Sequence, residues 1–391
     1  MNKDQKLELL RDVFSPMSPI RQKDFFSGRL TQLEKVAEAI NEIGQHAILY
    51  GERGVGKTSL ANIMVAGYTN IYTVKITCNR QDAFKTLWQS AFESIQFAKT
   101  TQGLGFNAQT TTQIVNMGNQ ISSIVNLRPS HVLNALNSFG SYRMLFIFDE
   151  FDNIQAEKTR AAFADLIKSL SDNNINTTVV LVGIADSIES LVGNHQSLER
   201  CLKQVKMPRM KKEESEEIIN KGMQKLGIKI ENKIREKIIE FSSGFPHYIH
   251  LLCKFGAKEL IQNDKNNFSE SYLTIAIRAG IENTSEQLRG SYKKAILSSN
   301  NSSRWRDLLF ACANADIDEF NSFTVSDVIK EYNKVTGRAV KNGNLNYNLN
   351  QLTKEDRGEI LNKLGKGKST RYTFLNPMMR AFVKLKIHSA D

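Results

Sequence analysis

The 391-residue chain is 41% hydrophobic and 24% charged, the balance of a globular protein long enough for two or three domains, which excludes a disordered or fibrous chain. No run of eighteen apolar residues is present and the polar start Met1-Asn2-Lys3-Asp4-Gln5-Lys6 leads to no signal-peptide core, so neither a membrane-spanning helix nor a membrane partner is expected. A formal net charge of +11 favours a polyanionic partner, most often nucleic acid, and four widely spaced cysteines without a C-x-x-C pair read as the reduced thiols of a cytoplasmic protein.

Residues 1–30 read as a lead-in segment. Phe14-Ser15-Pro16-Met17-Ser18-Pro19-Ile20 holds two prolines and is expected to be extended. Phe25-Phe26-Ser27-Gly28-Arg29 follows, and then a helix from about Leu30 to Gly44 with Leu30, Leu33, Val36, Ala37, Ile40 and Ile43 on its apolar face. The lead-in can pack over the next motif as part of a base pocket, or serve only as a structural approach to it.

Ala47-Ile48-Leu49-Tyr50 has the apolar run of a buried strand. Gly51-Glu52-Arg53-Gly54-Val55-Gly56-Lys57-Thr58 follows and fits G-x-x-x-x-G-K-[ST], the phosphate-binding P-loop; Ser59 onward has helical spacing. Glycines let the backbone curl so that several N–H groups point at one phosphate, and the helix N-terminus adds partial positive charge. Lys57 can reach the β- and γ-phosphates, and Thr58 can place its hydroxyl on Mg²⁺.

A second strand is expected over Ile71–Thr77 and a helix over about Gln81 to Phe97. Residues 99–128 are polar and low in charge, and read as an insertion, either a hairpin or a loop. A short helix, Pro129 to Phe139, leads into Arg143-Met144-Leu145-Phe146-Ile147-Phe148-Asp149-Glu150, an apolar strand ending in two carboxylates. Asp149 fits the residue that orients Mg²⁺ through the metal's waters, and Glu150 the one that polarises an attacking water.

A helix over Ala156–Asn173 and a buried strand, Thr177–Ile184, end in Ala185-Asp186-Ser187. Ligands of an open parallel sheet sit at the carboxyl ends of its strands, so Asp186 or Ser187 can touch the γ-phosphate or its water; the same pair is equally a helix cap. Arg200 then precedes a short strand stopped by Pro208.

Helices are expected at Lys212–Leu226, Asn232–Ser242, Gly244–Ile261 and, as one stretch, Ser269–Leu297. The polar run Ser298–Ser303 marks a domain boundary. Beyond it come helices at Arg304–Ala315, after Thr324, and at Leu345–Thr353, and then a hairpin with a basic glycine turn, Gly365-Lys366-Gly367-Lys368. Helix, helix, helix, hairpin is the order of a winged helix. Residues 354–386 carry nine basic residues against three acidic ones. Lys363, Lys366, Lys368 and Arg371 are the candidate contacts to double-stranded DNA, and the third helix offers Asn344, Asn346, Asn348, Asn350 and Gln351.

Phe26-Ser27-Gly28-Arg29, the P-loop, Leu145–Glu150, Val182–Ser187, Ser197–Arg200 and Ser243-Gly244-Phe245-Pro246-His247 together resemble the AAA+ ATPases over about residues 14–265. The resemblance is to the branch of origin-recognition and initiator ATPases and to the related STAND signalling ATPases. It implies an α/β fold: a three-layer parallel-sheet core over residues 31–210, a helical lid over 211–298 and a winged helix over 302–391. It also implies that ATP and Mg²⁺ are the cofactors, that Asp186 or Ser187 stands at sensor 1, and that Arg200 stands where a finger reaches a neighbour's γ-phosphate in a homo-oligomer, with Arg209 second in line. His247 stands where relatives carry a sensor 2 arginine, a departure that weakens that role. The expected function is an Mg²⁺-dependent ATPase whose nucleotide state controls oligomerisation and DNA engagement. A signalling switch that gates a separate effector protein, and a transposition-type accessory ATPase that assembles on DNA, stand beside it.

Overall fold

A computed structural model of the chain describes residues 1–16, 28–68, 70–102, 110–116, 118–185, 191, 198–297, 302–318, 321–337, 342–365 and 367–388. Two compact units form, one from residues 19–208 and the other from residues 1–18 together with 209–391.

Helix α1 (Lys3–Val13) belongs to the second unit. The first unit runs α2 (Leu30–Asn41), β1 (His46–Gly51), α3 (Lys57–Gly67), β2 (Tyr72–Thr77), α4 (Phe84–Glu93), β3 (Gln96–Gln102), β4 (Thr110–Asn116), α5 (Gly118–Ser122), α6 (Pro129–Asn137), β5 (Met144–Asp149), α7 (Glu157–Asp172), β6 (Thr177–Ile184) and β7 (Leu202–Lys206). Five strands make a parallel sheet in the order β2-β5-β6-β1-β7. The inner strands β5 and β6 are buried at nearly every position, which is why they read as unbroken apolar runs and not as alternating ones. Edge strand β2 alternates instead.

Period-two geometry sorts β5 into two faces. Phe146 and Phe148 lie 5.0 and 5.2 Å from Trp88 of α4, and Phe148 meets Phe163 of α7 edge-on at 4.8 Å. Leu145, Ile147 and Asp149 therefore share the opposite face. The insertion begins as an antiparallel hairpin, with Gln96 opposite Asn116 and Gln102 opposite Thr110. Helix α4 accordingly stops at Glu93, short of the Phe97 expected from its pattern.

The second unit contains helices Lys212–Leu226, Asn232–Ser242, Pro246–Gln262, Glu270–Glu282 and Glu286–Ile296. The stretch expected as one helix from Ser269 to Leu297 is two: Asn283 closes the first, and the Ser285 hydroxyl caps the second by accepting from the Leu288 N–H. Of the segment expected as extended, Phe14–Ile20, residues 17–20 lie outside the described residues, and the lead-in ahead of it carries a helix for which no element was expected. Residues 3–13 are helical, with Asn2 and Gln5 forming a reciprocal capping box. Leu10, Val13 and Phe14 are buried. The Phe14 ring lies against Gly222, where a Cβ would stand only 2.3 Å from Cζ, and meets His250 edge-on at 5.8 Å.

The same unit continues through Ser302–Asn314, Phe323–Thr324, Val325–Thr336, Asn342–Gln351, Leu361–Leu364, Arg371–Phe374 and Met379–His388. The three short strands form one sheet, with Arg371–Phe374 in the middle. The order is helix, strand, helix, helix, strand, strand, helix. Thr324 and Asp327 make a capping box at the second of these helices, and Gly337 closes it at φ +65°.

Candidate functional site: a phosphate loop and two carboxylates at one end of the sheet

Strand β1 delivers the chain into the loop at Gly51, whose φ is +150°. Gly54 and Gly56 follow at +85° and +97°, conformations that favour glycine. Within the loop Glu52 is half-buried, Arg53 is exposed and Val55 is buried, while Ser59 lies half-buried in the first turn of α3. Gly51 has no room for a side chain, because a Cβ there would stand 2.3 Å from the Met207 carbonyl oxygen. Gly51→Ala is therefore expected to break the register in which Met207 N–H donates to the Tyr50 carbonyl at 2.7 Å. The strain is about 1–3 kcal/mol, read as a lowered melting temperature that nucleotide does not restore. A variant that melts and binds nucleotide like the parent would contradict this.

Gly56 is the N-cap of α3 and has no side chain with which to cap it, so the first-turn N–H groups are left to an anion. Lys57 is buried, and its Nζ donates to the carbonyls of Gly51 and Glu52 at 2.9 and 2.7 Å. Burial pushes its ammonium down to about 8, against the pull of Asp152, Asp149 and Glu52.

Asp149 ends β5 on the α3 face and is only 3% exposed. Its Oδ1 accepts from Thr58 Oγ1 at 3.4 Å and from the Glu150 N–H at 3.0 Å. Two oxygens of this kind, side by side at a helix N-terminus, suit a hard divalent cation, and Thr58 and Asp149 are the residues that would hold Mg²⁺. Glu150 is exposed and left-handed at φ 56°, and its Oε2 accepts from Asn153 Nδ2 at 3.1 Å. The same amide donates to the Cys78 carbonyl, tying the turn after β5 to the end of β2. Asp152 Oδ1 accepts from the Ile184 N–H at 2.7 Å and so anchors the end of β6 to that turn.

Three side chains at this end of the sheet were assigned no role from the sequence, although Arg29 stands in one of the segments that carry the resemblance. Arg29 is fully buried in a left-handed conformation, and its guanidinium donates to the Val55 carbonyl at 3.2 Å and the Pro208 carbonyl at 2.5 Å. Asn153 is the second. Lys75, in the middle of β2, is the third: its Nζ lies 2.9 Å from Asp149 Oδ2. Both cations lie far in sequence from the loop they serve, and only strand order brings them there.

The other candidate residues are placed as follows. Asp186, Ser187 and Lys366 lie outside the described residues, as does the side chain of Lys368. Arg200 is exposed, with its guanidinium 2.5 Å from Asp172 Oδ1. Arg209 stacks over the Phe245 ring at 4.7 Å. His247 sits in the second unit, with its Nδ1 2.8 Å from the Pro16 carbonyl oxygen. Burial holds its pKa below the ordinary imidazole value, against that carbonyl. Lys363 donates to Asn350 Oδ1 at 3.1 Å. Arg371 is held by the Ser322 hydroxyl at 2.6 Å, the Ser322 carbonyl at 3.2 Å and Asp318 Oδ2 at 3.0 Å. Of the amides on helix Asn342–Gln351, Asn348 is buried and Asn350 is shared between Lys363 and the Tyr372 hydroxyl. Among the described side chains of this helix, Asn346 and Tyr347 are exposed.

Residues 19–296 match the novel STAND NTPase 1 family. The chain belongs to that family. Its fold is similar to that of the Walker-type ATPase PABY2304 of Pyrococcus abyssi, at 16% identity and a TM-score of 0.52, covering 95% of this chain and 99% of that one. It is also similar to the Aeropyrum pernix ORC2 protein in ADPNP–ADP complexes, at 13% identity and a TM-score of 0.50, covering 97% and 98%. No curated protein matches the chain in sequence. The parallel sheet with its phosphate loop is thus the P-loop AAA+ α/β fold of an NTPase, and the expected AAA+ and STAND resemblance holds. Among the described residues no helix is long and apolar enough to cross a membrane.

Proposed function

We propose that this STAND-family NTPase is an Mg²⁺-dependent ATPase whose bound nucleotide controls its self-association and its engagement of DNA. The observation that supports the reading most is the convergence of Lys57, Thr58, Asp149 and Glu150 at one end of β1 and β5. Loop N–H groups and Lys57 hold the phosphates, Thr58 and Asp149 hold the cation, and Glu150 takes a proton from the attacking water. Bound Mg²⁺ would neutralise charge on the phosphate oxygens. ATP is preferred over GTP because no guanine-reading Asn/Thr-Lys-x-Asp motif stands in the expected place, within the unit that carries the loop (Thr353-Lys354-Glu355-Asp356 fits the pattern but lies in the C-terminal region), and the Aeropyrum protein of the same fold was captured with adenine nucleotides.

Asp186 is assigned to sense the γ-phosphate, and His247 to a sensor 2 position where its neutral ring offers a hydrogen bond and no charge. Arg200, exposed and able to exchange its Asp172 partner for a neighbour's phosphate, is assigned as the finger of a homo-oligomer. The C-terminal helices and three-stranded sheet are read as a winged helix. Lys363, Lys366 and Lys368 are assigned to duplex phosphates by their basic charge, and Arg371 braces the hairpin through Ser322 and Asp318.

A second reading has its own support. Family membership and the inward-turned Asn348 and Asn350 favour a switch in which residues 302–391 grip a separate effector protein. One experiment separates the two: ATPase rate and particle mass with and without duplex DNA, at low and physiological salt. The DNA reading predicts a higher rate and a larger assembly on DNA, both weakened by salt. A rate and mass indifferent to DNA at both salts would leave the effector reading in its place.

A further inference from the structure

Lys75 is a charged residue in the middle of a sheet strand. Val74 and Ile76 turn to the Trp88 face of the sheet, so alternation sends Lys75 to the α3 face. There it lies opposite Ile147, with Thr77 opposite Asp149 one pleat further on. Its Nζ lies 2.9 Å from Asp149 Oδ2 and 2.6 Å from Asn62 Oδ1 of α3. The lysine side chain is 20% exposed and the aspartate 4%. The two carboxylate oxygens thus have separate duties: Oδ1 takes Thr58 and the Glu150 N–H, and Oδ2 takes Lys75. A carboxylate this buried requires a positive charge at hand. Here the protein supplies one, on the same group that the cation reading assigns to Mg²⁺.

We propose that Lys75 is a resident counter-ion of Asp149 that sets the divalent-cation affinity of the nucleotide site. The inference rests on the Thr58–Asp149 cation site described above. Without a cation, the ammonium holds Asp149 charged and aimed. With nucleotide bound, the same ammonium repels an incoming cation, so the site needs a higher free Mg²⁺ concentration than Asp149 alone would demand. Lys75 is a positioning residue; it touches neither nucleotide nor water in this scheme. A merely structural role predicts the reverse sign: losing the anchor would let Asp149 drift and weaken cation binding.

The test uses the full chain as the parent protein, Lys75→Met, Lys75→Gln and Lys75→Arg. Binding of a fluorescent ATP analogue is followed against free Mg²⁺ set by a chelator buffer, with melting temperature recorded in EDTA. Removing the charge is expected to lower the half-saturating Mg²⁺ concentration by about tenfold. Melting in EDTA should fall, while Lys75→Arg stays with the parent on both counts. Lys75→Gln keeps a neutral donor to Asp149 and provides the answer if the Met variant does not fold. A folded neutral variant with unchanged or higher half-saturation overturns the proposal. A parent protein whose nucleotide binding ignores Mg²⁺ overturns the cation site itself, and is recognised before any variant is compared.

Discussion

Glu150→Gln is expected to bind ATP as tightly as the parent and to hydrolyse it roughly 10²–10⁴-fold more slowly, the range for removing a positioned general base. The geometry explains why binding should survive. Glu150 is the exposed residue just past β5, in a left-handed conformation. Neither Lys57 nor Thr58 leans on it. Its carboxylate touches Asn153, and a glutamine amide oxygen can accept that same hydrogen bond. The exchange is isosteric and deletes only the ability to take a proton. Lys57→Ala is the contrast: it removes the ammonium from the loop and should abolish binding along with turnover. Equilibrium ATP binding checks both variants and single-turnover hydrolysis of preloaded ATP checks the Gln variant, for which a rate within about twofold of the parent's would move the base elsewhere.

The second large effect is structural. Phe14→Ala should cost about 3–5 kcal/mol, the range for emptying a buried aromatic site. Phe14 is fully buried and is seated on Gly222, a position where no side chain fits. The cavity cannot be refilled from the helix below, because that helix presents glycine to it. Helix α1 should then fray, since Leu10, Val13 and Phe14 are its buried contacts and its other leucines, Leu7 and Leu9, are only half-buried. Hydrogen exchange over residues 3–13 gives the answer. Protection equal to the parent's would show that α1 is held by something other than Phe14.

What the sequence disclosed follows how local the chemistry is. The phosphate loop, Asp149 and Glu150 are legible because each sits in one contiguous window beside a buried strand. Lys75 is not, although the strand that carries it is: the sequence says β2 exists but not that β5 is its neighbour, nor which face the lysine takes. Arg29 is hidden for the same reason, since its partners Val55 and Pro208 lie on distant turns. Residues 3–13 escaped although Leu7, Leu9, Leu10 and Val13 are apolar: charged residues stand among them, and only Leu10 and Val13 of the four are fully buried. In helix Asn342–Gln351 the asparagines looked alike; the fold separates buried Asn348 and half-buried, hydrogen-bonded Asn350 from exposed Asn346. The break at Asn283–Ser285 carries no glycine or proline to announce it, only a serine cap.

The seat of Phe14 on Gly222 also has a consequence for biosynthesis. The ring leaves the ribosome roughly two hundred residues before the helix that receives it, a wait of about 10–40 s at ordinary elongation rates. During that time the whole nucleotide-binding unit is made, while Leu10, Val13 and Phe14 have nothing native to rest on. A nascent chain with such an orphan greasy handle is suited to capture by a holdase, and the unit it completes is the later of the two to fold.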